Sequence, residues 1–356
     1  LLSMHTPTTN TLYLILGSYS LLLFAGCMIC HTELFFLRPP PKQLATFYLI
    51  IALGGALGGI FVNLIAPQVF NAYLELPLGL LALFVVVMWS NLDLSFSSKS
   101  NSFYKIIIHP GMGLVVFLVF SICTYFSNQT AAALTQQRNF YGTILVRMED
   151  APNSLSDRTS MYHNGVAHGF QLNEKHLTTT PTGYYHKAGG LGVTFSLFGE
   201  QPNLTVGIVG LGAGVIATYG RSGDIFKFYE INPDVIDVAN KHFSFLSSSK
   251  AETFVIAGDA RLSLAHEPDN YFDLIVVDAF SGGNIPAHLI TTEAFALYKE
   301  RLKPNGVLSF HISNNFLDLA PILFATSSIF KMSSTLVEPP PLNLAYYDQS
   351  TYVITS

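Results

Sequence analysis

The sequence predicts a chain of class α/β in three parts. These are transmembrane helices over residues 1–130, a linker and small β-hairpin domain over 131–200, and a Rossmann-like, doubly wound sheet over 201–356. Three observations lead there. Residues 1–130 hold only seven charged side chains, Glu33, Arg38, Lys42, Glu75, Asp93, Lys99 and Lys105, and residues 131–356 hold all the others. From Leu204 onward short apolar runs alternate with helical patterns, as in a parallel sheet with crossover helices. Glycines and acids stand at the ends of those runs, where an open α/β sheet binds its ligands.

Composition sets the outer limits. The 356 residues are 50% hydrophobic and 12% charged, with a formal net charge of −5, against roughly 25% charged residues in an average soluble protein. That balance excludes a disordered chain, a collagen and a secreted disulfide scaffold, and it offers no general pull on nucleic acid. Cys27, Cys30 and Cys123 all lie in the front part. Cys27 and Cys30 share an apolar run and read as reduced thiols packed in a helix.

Four stretches suit a span of ~20 apolar residues: Thr11–Cys30, Leu44–Phe70, Leu76–Trp89 with its flanks, and Ile106–Phe126. The first lacks the basic flank of a signal peptide. The chain begins Leu-Leu-Ser-Met, which leaves room for helices upstream. In the second stretch Gly54/Gly58 and Gly55/Gly59 form two small-xxx-small patterns, which allow close helix approach to a partner subunit or within the bundle. His31 and Glu33 follow the first helix as interfacial groups. Arg38/Lys42 and Lys99/Lys105 place both of their loops in the cytoplasm by the positive-inside rule. With four spans the soluble part then lies outside, opposite to what a cytosolic nucleoside ligand asks. The sequence leaves the membrane face open.

Residues 127–140 read as a polar linker. The runs 142–146, 160–162 and 166–171 read as short strands of a hairpin domain. The strand Thr205–Val209 leads into Gly210-Leu-Gly212-Ala-Gly214 and a helix through Tyr219. Strands follow at Ile225–Tyr229, Thr253–Ala257, Tyr271–Val277 and Gly306–Ile312, with helices at Asp234–His242 and Thr292–Leu302 and a last strand within Tyr346–Thr355.

Gly210, Gly212 and Gly214 let the backbone pass close to a ligand. Glu230, ending the second strand, sits where an acid accepts both ribose hydroxyls of a nucleoside. Asp259, ending the third, is placed to read an adenine edge. Asp278 ends the fourth. The glycine triplet alone is also explained by a tight turn, and its spacing is not that of dinucleotide folds. The ordered set is the layout of S-adenosylmethionine-type nucleoside binding, with an NAD oxidoreductase as the lesser reading, and its negative wall suits a cationic sulfonium or amine. His163 and His168 have no third ligand at a metal-site spacing, so no metal is expected.

At these residues the stretch from about Phe140 to Asn315 resembles the spermidine synthases, or polyamine aminopropyltransferases. Five further motifs, His31-Thr-Glu-Leu34, Arg38-Pro-Pro, Phe47 to Gly59, Arg138-Asn-Phe-Tyr-Gly142 and His168-Gly-Phe-Gln171, are similar to bacterial membrane-fused spermidine synthase-like proteins. The resemblance implies a multi-pass protein of a bacterial cytoplasmic membrane that moves an aminopropyl group from decarboxylated S-adenosylmethionine to a polyamine-type amine. It assigns the glycine loop, Glu230, Asp259 and Asp278 to the nucleoside, and Gln171, Tyr185 and His186 to the ligand side of the amino-terminal domain. The soluble synthases carry a second Asp, the base, three residues after the first, and here that position is Ser281. Asp278 and Glu293 are the candidates to replace it, although Glu293 also reads as a first-turn acid favoured by the helix dipole. Lys187 stands where the synthases often have Glu. Three functions stay open: aminopropyl transfer, a catalytically impaired accessory subunit of a membrane complex, and methyl transfer from S-adenosylmethionine.

Overall fold

The computed structural model describes residues 9–94, 133–149, 157–280, 285–314, 317–342 and 346–356. The chain divides into two compact units, residues 1–131 and 132–356.

In the first unit, α1 (Thr9–Phe36) runs further than the sequence suggests, so His31 and Glu33 lie in its last turns rather than after it. The helix α2 (Leu44–Ile60) continues through a π-helical turn, Phe61–Ile65, into Ala66–Val69. The Asn63 amide donates to the Gly59 carbonyl at the join (2.8 Å). A third helix, α3, spans Glu75–Leu94. Leu16–Phe36 and Pro41–Val69 are long and apolar enough to cross a membrane, by length and composition. Gly26 meets Leu83 of α3 across a gap of 3.5 Å from an ideal Cβ, whereas a Cβ on Gly54, Gly55, Gly58 or Gly59 meets nothing within 4 Å. The fourth expected span lies outside the described residues.

The second unit holds two sheets. The smaller is an antiparallel meander of β1 (Ala133–Asn139), β2 (Gly142–Glu149), β3 (Arg158–His163) and β4 (Val166–Leu172). Of the polar stretch 127–140 expected as linker, Ala133–Asn139 is strand. Gln136 and Gln137 pair with Leu145 and Ile144, so backbone pairing overrides their polarity.

The larger sheet has seven strands in the order β10-β11-β9-β8-β5-β6-β7. They are β5 (Thr205–Val209), β6 (Ile225–Glu230), β7 (Glu252–Ala257), β8 (Phe272–Val277), β9 (Leu302–His311), β10 (Ser334–Val337) and β11 (Tyr352–Thr355). The first five pair in parallel, and β11 runs antiparallel between β9 and β10. The order is that of a doubly wound, mostly parallel α/β sheet with an antiparallel edge. Instead of the helix expected after Gly214, a 3₁₀ turn covers Val215–Tyr219.

Alternation along the buried strands supplies two cores. Leu274 and Val276 face the core shared with Ile144, Val146 and Met161 of the small sheet and with α4 (Gly190–Ser196) and α5 (Pro233–His242). Ile275 and Val277 face the core under α6 (Ala260–Leu264), α7 (Thr292–Arg301) and α8 (Ala320–Ile329). The strand ends lie flush between these layers.

Candidate active site

Register builds the site. Val209 pairs with Tyr229 on one side and Val277 on the other, and Glu230 pairs with Ala257. Gly210, Glu230, Gly258 and Asp278 therefore leave four adjacent strands within one residue of each other, on strands ~4.8 Å apart. The sheet order reverses between β5 and β8, so Gly210 and Asp278 straddle the switch point where open α/β sheets bind ligands.

The three loop glycines have reasons of their own. Gly210, Gly212 and Gly214 have φ of +99°, +53° and +86°. A Cβ on Gly210 would lie 2.5 Å from the Asp278 carbonyl oxygen, and one on Gly212 2.8 Å from that of His168. The tight turn and the close approach of β4 and β8 thus require them before any ligand is considered.

Glu230 turns its carboxylate into this loop. Its Oε2 accepts from the Leu211 amide (3.1 Å) and its Oε1 from the Asn232 amide (2.8 Å). Burial pushes its pKa above the usual carboxylate value, and these amides pull it back. A carboxylate has about four acceptor positions, and the backbone amides do not fill all of them. Asp259 caps α6 by accepting from the Leu262 amide (2.9 Å), and its other oxygen lies 3.3 Å from His288 Nε2.

Asp278 is the centre of a denser cluster. The Tyr185 hydroxyl donates to its Oδ2 (2.6 Å), and His311 Nδ1 lies 2.6 Å from its Oδ1. His311 Nε2 lies 2.8 Å from Ser313 Oγ, which accepts the Thr351 amide at 2.9 Å. The imidazole stacks on Tyr352, with centroids 4.7 Å apart, and lies beside Tyr184 and Phe280. The side chains of Asp278 and His311 are each only 4% exposed. Burial, then the Asp278 charge, drives the Tyr184 and Tyr185 hydroxyls far above their ordinary values, so both stay neutral. Burial, joined by repulsion from His163, lowers His168 to about 4 despite the pull of Asp278. Among the described residues its buried Nε2 has no hydrogen-bond partner.

Other expected residues are placed differently. The Gln171 amide is occupied inside the chain, donating to the Thr178 carbonyl (2.8 Å) and Ser244 Oγ (2.6 Å) and accepting the Ser244 amide (3.1 Å). It ties β4 to the loop after α5. His186 Nδ1 accepts the Ala188 amide at 3.1 Å, and its ring meets Tyr347. Glu293 is exposed in the first turn of α7, and its pKa is lowered by its own backbone amide and by Thr291. These bonds match its reading as a helix-start acid. Ser281 lies outside the described residues. His163 and His168 have ring centroids 5.7 Å apart, and no group of three metal-ligating side chains occurs among the described residues.

Sequence reasoning missed His311 and Ser313. The signal was present, since Ser309, His311 and Ser313 alternate along an otherwise apolar run and so share one face of β9 and its extension.

No protein-family model matches the chain. A polyamine aminopropyltransferase of Vibrio vulnificus is 35% identical over 127 residues, covering 34% of this chain and 40% of that protein. A probable polyamine aminopropyl transferase of Bifidobacterium longum is 31% identical over 166 residues, covering 44% of this chain and 33% of that protein. Over these stretches the chain is similar to polyamine aminopropyltransferases. It spans less than half the length of either relative. Among solved structures, spermidine synthase from Thermotoga maritima overlaps with a TM-score of 0.47 at 16% identity, over 63% of this chain and 72% of that one. A probable spermidine synthase from Corynebacterium glutamicum overlaps with a TM-score of 0.49 at 17% identity, over 63% and 78%.

Proposed function

We propose that this spermidine synthase-like chain is a membrane-anchored transferase that moves the aminopropyl group of decarboxylated S-adenosylmethionine to a polyamine-type amine. The observation that carries this reading is the flush row of Gly210, Glu230, Asp259 and Asp278 across the switch point of the sheet. Glu230 has acceptor capacity for a ribose. Asp278 is a buried carboxylate whose hydrogen-bond partners are a tyrosine and a histidine, and an unbalanced charge of that kind suits a sulfonium or an ammonium. In the reaction the amine nitrogen attacks the methylene carbon on sulfur. The carbon–sulfur bond breaks with its electron pair going to sulfur, and neutral methylthioadenosine leaves. The protein's part is to align the two substrates and hold their positive charge. The apolar helices α1 and α2 support anchoring in a bacterial cytoplasmic membrane.

Calorimetric titration of the full chain with methylthioadenosine, S-adenosylmethionine and its decarboxylated form tests this. Each is expected to bind, and Glu230→Ala is expected to weaken binding at least ~10²-fold, since hydrogen bonds to a charged group contribute about 1.5–3 kcal/mol each. A wild-type chain that ignores all three overturns the proposal. Release of methylthioadenosine upon adding an amine supports aminopropyl transfer, whereas release of S-adenosylhomocysteine favours methyl transfer.

One observation favours a second reading, a catalytically impaired accessory subunit. Both Asp278 oxygens already have partners within the chain, and the sequence has Ser281 where the synthases have their base. Binding without either product, together with stable co-purification in a larger membrane complex, is the result that reading expects.

A further inference from the structure

The geometry points to a hydrogen-bonded relay, Ser313–His311–Asp278, that takes the proton from the acceptor amine in place of the missing carboxylate base. The inference rests on the transferase reading and goes beyond it by assigning the proton path. An ionised Asp278 only accepts hydrogen bonds, so the 2.6 Å contact at Oδ1 requires the proton on His311 Nδ1. Nε2 is then the acceptor, and the 2.8 Å contact makes the Ser313 hydroxyl its donor. The Thr351 amide approaches Ser313 Oγ at 2.9 Å and orients it, leaving Oγ acceptor capacity for an incoming ammonium. Ser313 is half-buried, whereas His311 is buried behind it. Ser313 is therefore the more exposed end of the relay.

The groups that face His311 come from several elements. Asp278 and Phe280 follow β8, Tyr184 precedes α4, and Tyr352 belongs to β11. His168, in β4, interacts with it through charge. Tyr184 and Tyr352 stay protonated because burial raises both, and His168 stays neutral. Asp278 is thus the one anion among these groups, and a proton arriving on His311 forms an imidazolium paired with it.

The proton balance is simple. An amine with a pKa near that of Lys, ~10.4, arrives protonated at neutral pH. It gives one proton to Ser313 Oγ as the serine's own proton moves to His311 Nε2. The freed nitrogen attacks, sulfur takes the electron pair of the broken bond, and the imidazolium returns its proton to solvent by the same path.

The test compares the wild-type chain with Ser313→Ala and His311→Gln, measuring methylthioadenosine release from pH 6.5 to 10 and methylthioadenosine binding by calorimetry. Both variants are expected to bind normally and to lose about 10²-fold in kcat at pH 7, the lower range for a general base. The loss should shrink towards pH 10, where the amine deprotonates unaided. A merely structural role would lower the rate equally at all pH values. Normal variant rates, or a pH-independent loss, overturn the relay and leave the transferase reading standing. A wild-type chain that binds nucleoside but releases no methylthioadenosine overturns both. Ser313→Ala, at a half-buried site, keeps the test decisive should His311→Gln fail to fold.

Discussion

Two carboxylates of the second unit, the half-buried Glu149 and the buried Asp278 side chain, show how neighbours decide a role. Glu149, in the small sheet, accepts from Arg147 Nε (2.6 Å), Arg158 Nε (2.7 Å), Ser160 Oγ (2.9 Å) and the Tyr162 hydroxyl (2.6 Å). Burial alone would raise its pKa, but the Tyr162 bond and then the Arg158 charge bring it down to about 2. Asp278 also accepts a tyrosine hydroxyl, yet its other partner is an imidazole, and no Lys or Arg bonds to it among the described residues. Glu149 is a charge already neutralised by two guanidiniums, which fits a structural tie between β2 and β3. Asp278 is paired only with a tyrosine and an imidazole, which fits the role proposed for it.

The largest expected effect that would break this contrast is at Asp278. Asp278→Asn keeps the shape but removes the charge, and methylthioadenosine release is expected to fall ~10²–10⁴-fold with the melting temperature changing by only a few degrees. Unchanged turnover would remove Asp278 from the chemistry.

Glu149→Gln should do the reverse. The depressed pKa contributes about 3 kcal/mol of stability at neutral pH, at ~1.36 kcal/mol per unit. Because the folded-state value is the lower one, that contribution is complete above about pH 5 and is lost as the pH falls towards 2. Denaturation of the wild-type chain should weaken across that window, and the variant, less stable from the start, should show a flatter profile. Equal pH profiles would contradict the network.

A similar comparison applies to glycines. Gly210→Ala forces a Cβ to 2.5 Å from a backbone oxygen at φ +99° and is expected to cost about 2 kcal/mol, seen as a lower melting temperature. Gly54→Ala meets nothing within 4 Å and should leave thermal stability almost unchanged, since alanine is the better helix former. A large loss there would reveal a neighbour pressed against that face of α2.

The smallest expected effect is spectroscopic. Nitrogen-15 NMR of His168 should show a neutral ring down to about pH 4, below the ordinary ~6.5. Titration near 6.5 would mean that water reaches the ring and that the pocket around Asp278 is open.

Much of this arrangement was legible in the residues. The parallel strands β5 to β9 announce themselves because strands buried on both faces are continuous apolar runs. Glu230, Asp259 and Asp278 stand at run ends that any reader can mark. The strand β1 was hidden because its residues are polar and its pairing with β2 is made by backbone groups. The strand β10 is four residues long and lies at the sheet edge, too short for a periodic signal. The extent of α1 was misjudged because His31 and Glu33 look like a boundary, yet a helix end tolerates both.

Chain chemistry by itself determined which strands are buried, where the glycine turn falls and which acids end the strands, because these follow from local periodicity and backbone sterics. Only the tertiary structure decided what each acid touches. Tyr185, the His311–Ser313 stretch and Thr351 reach Asp278 and its neighbours from three separate segments, and no local pattern encodes meetings such as that of Tyr185 with Asp278, 93 positions apart. The same holds for Gln171, whose amide bonds to Ser244 and to the Thr178 carbonyl, partners 73 and 7 positions away.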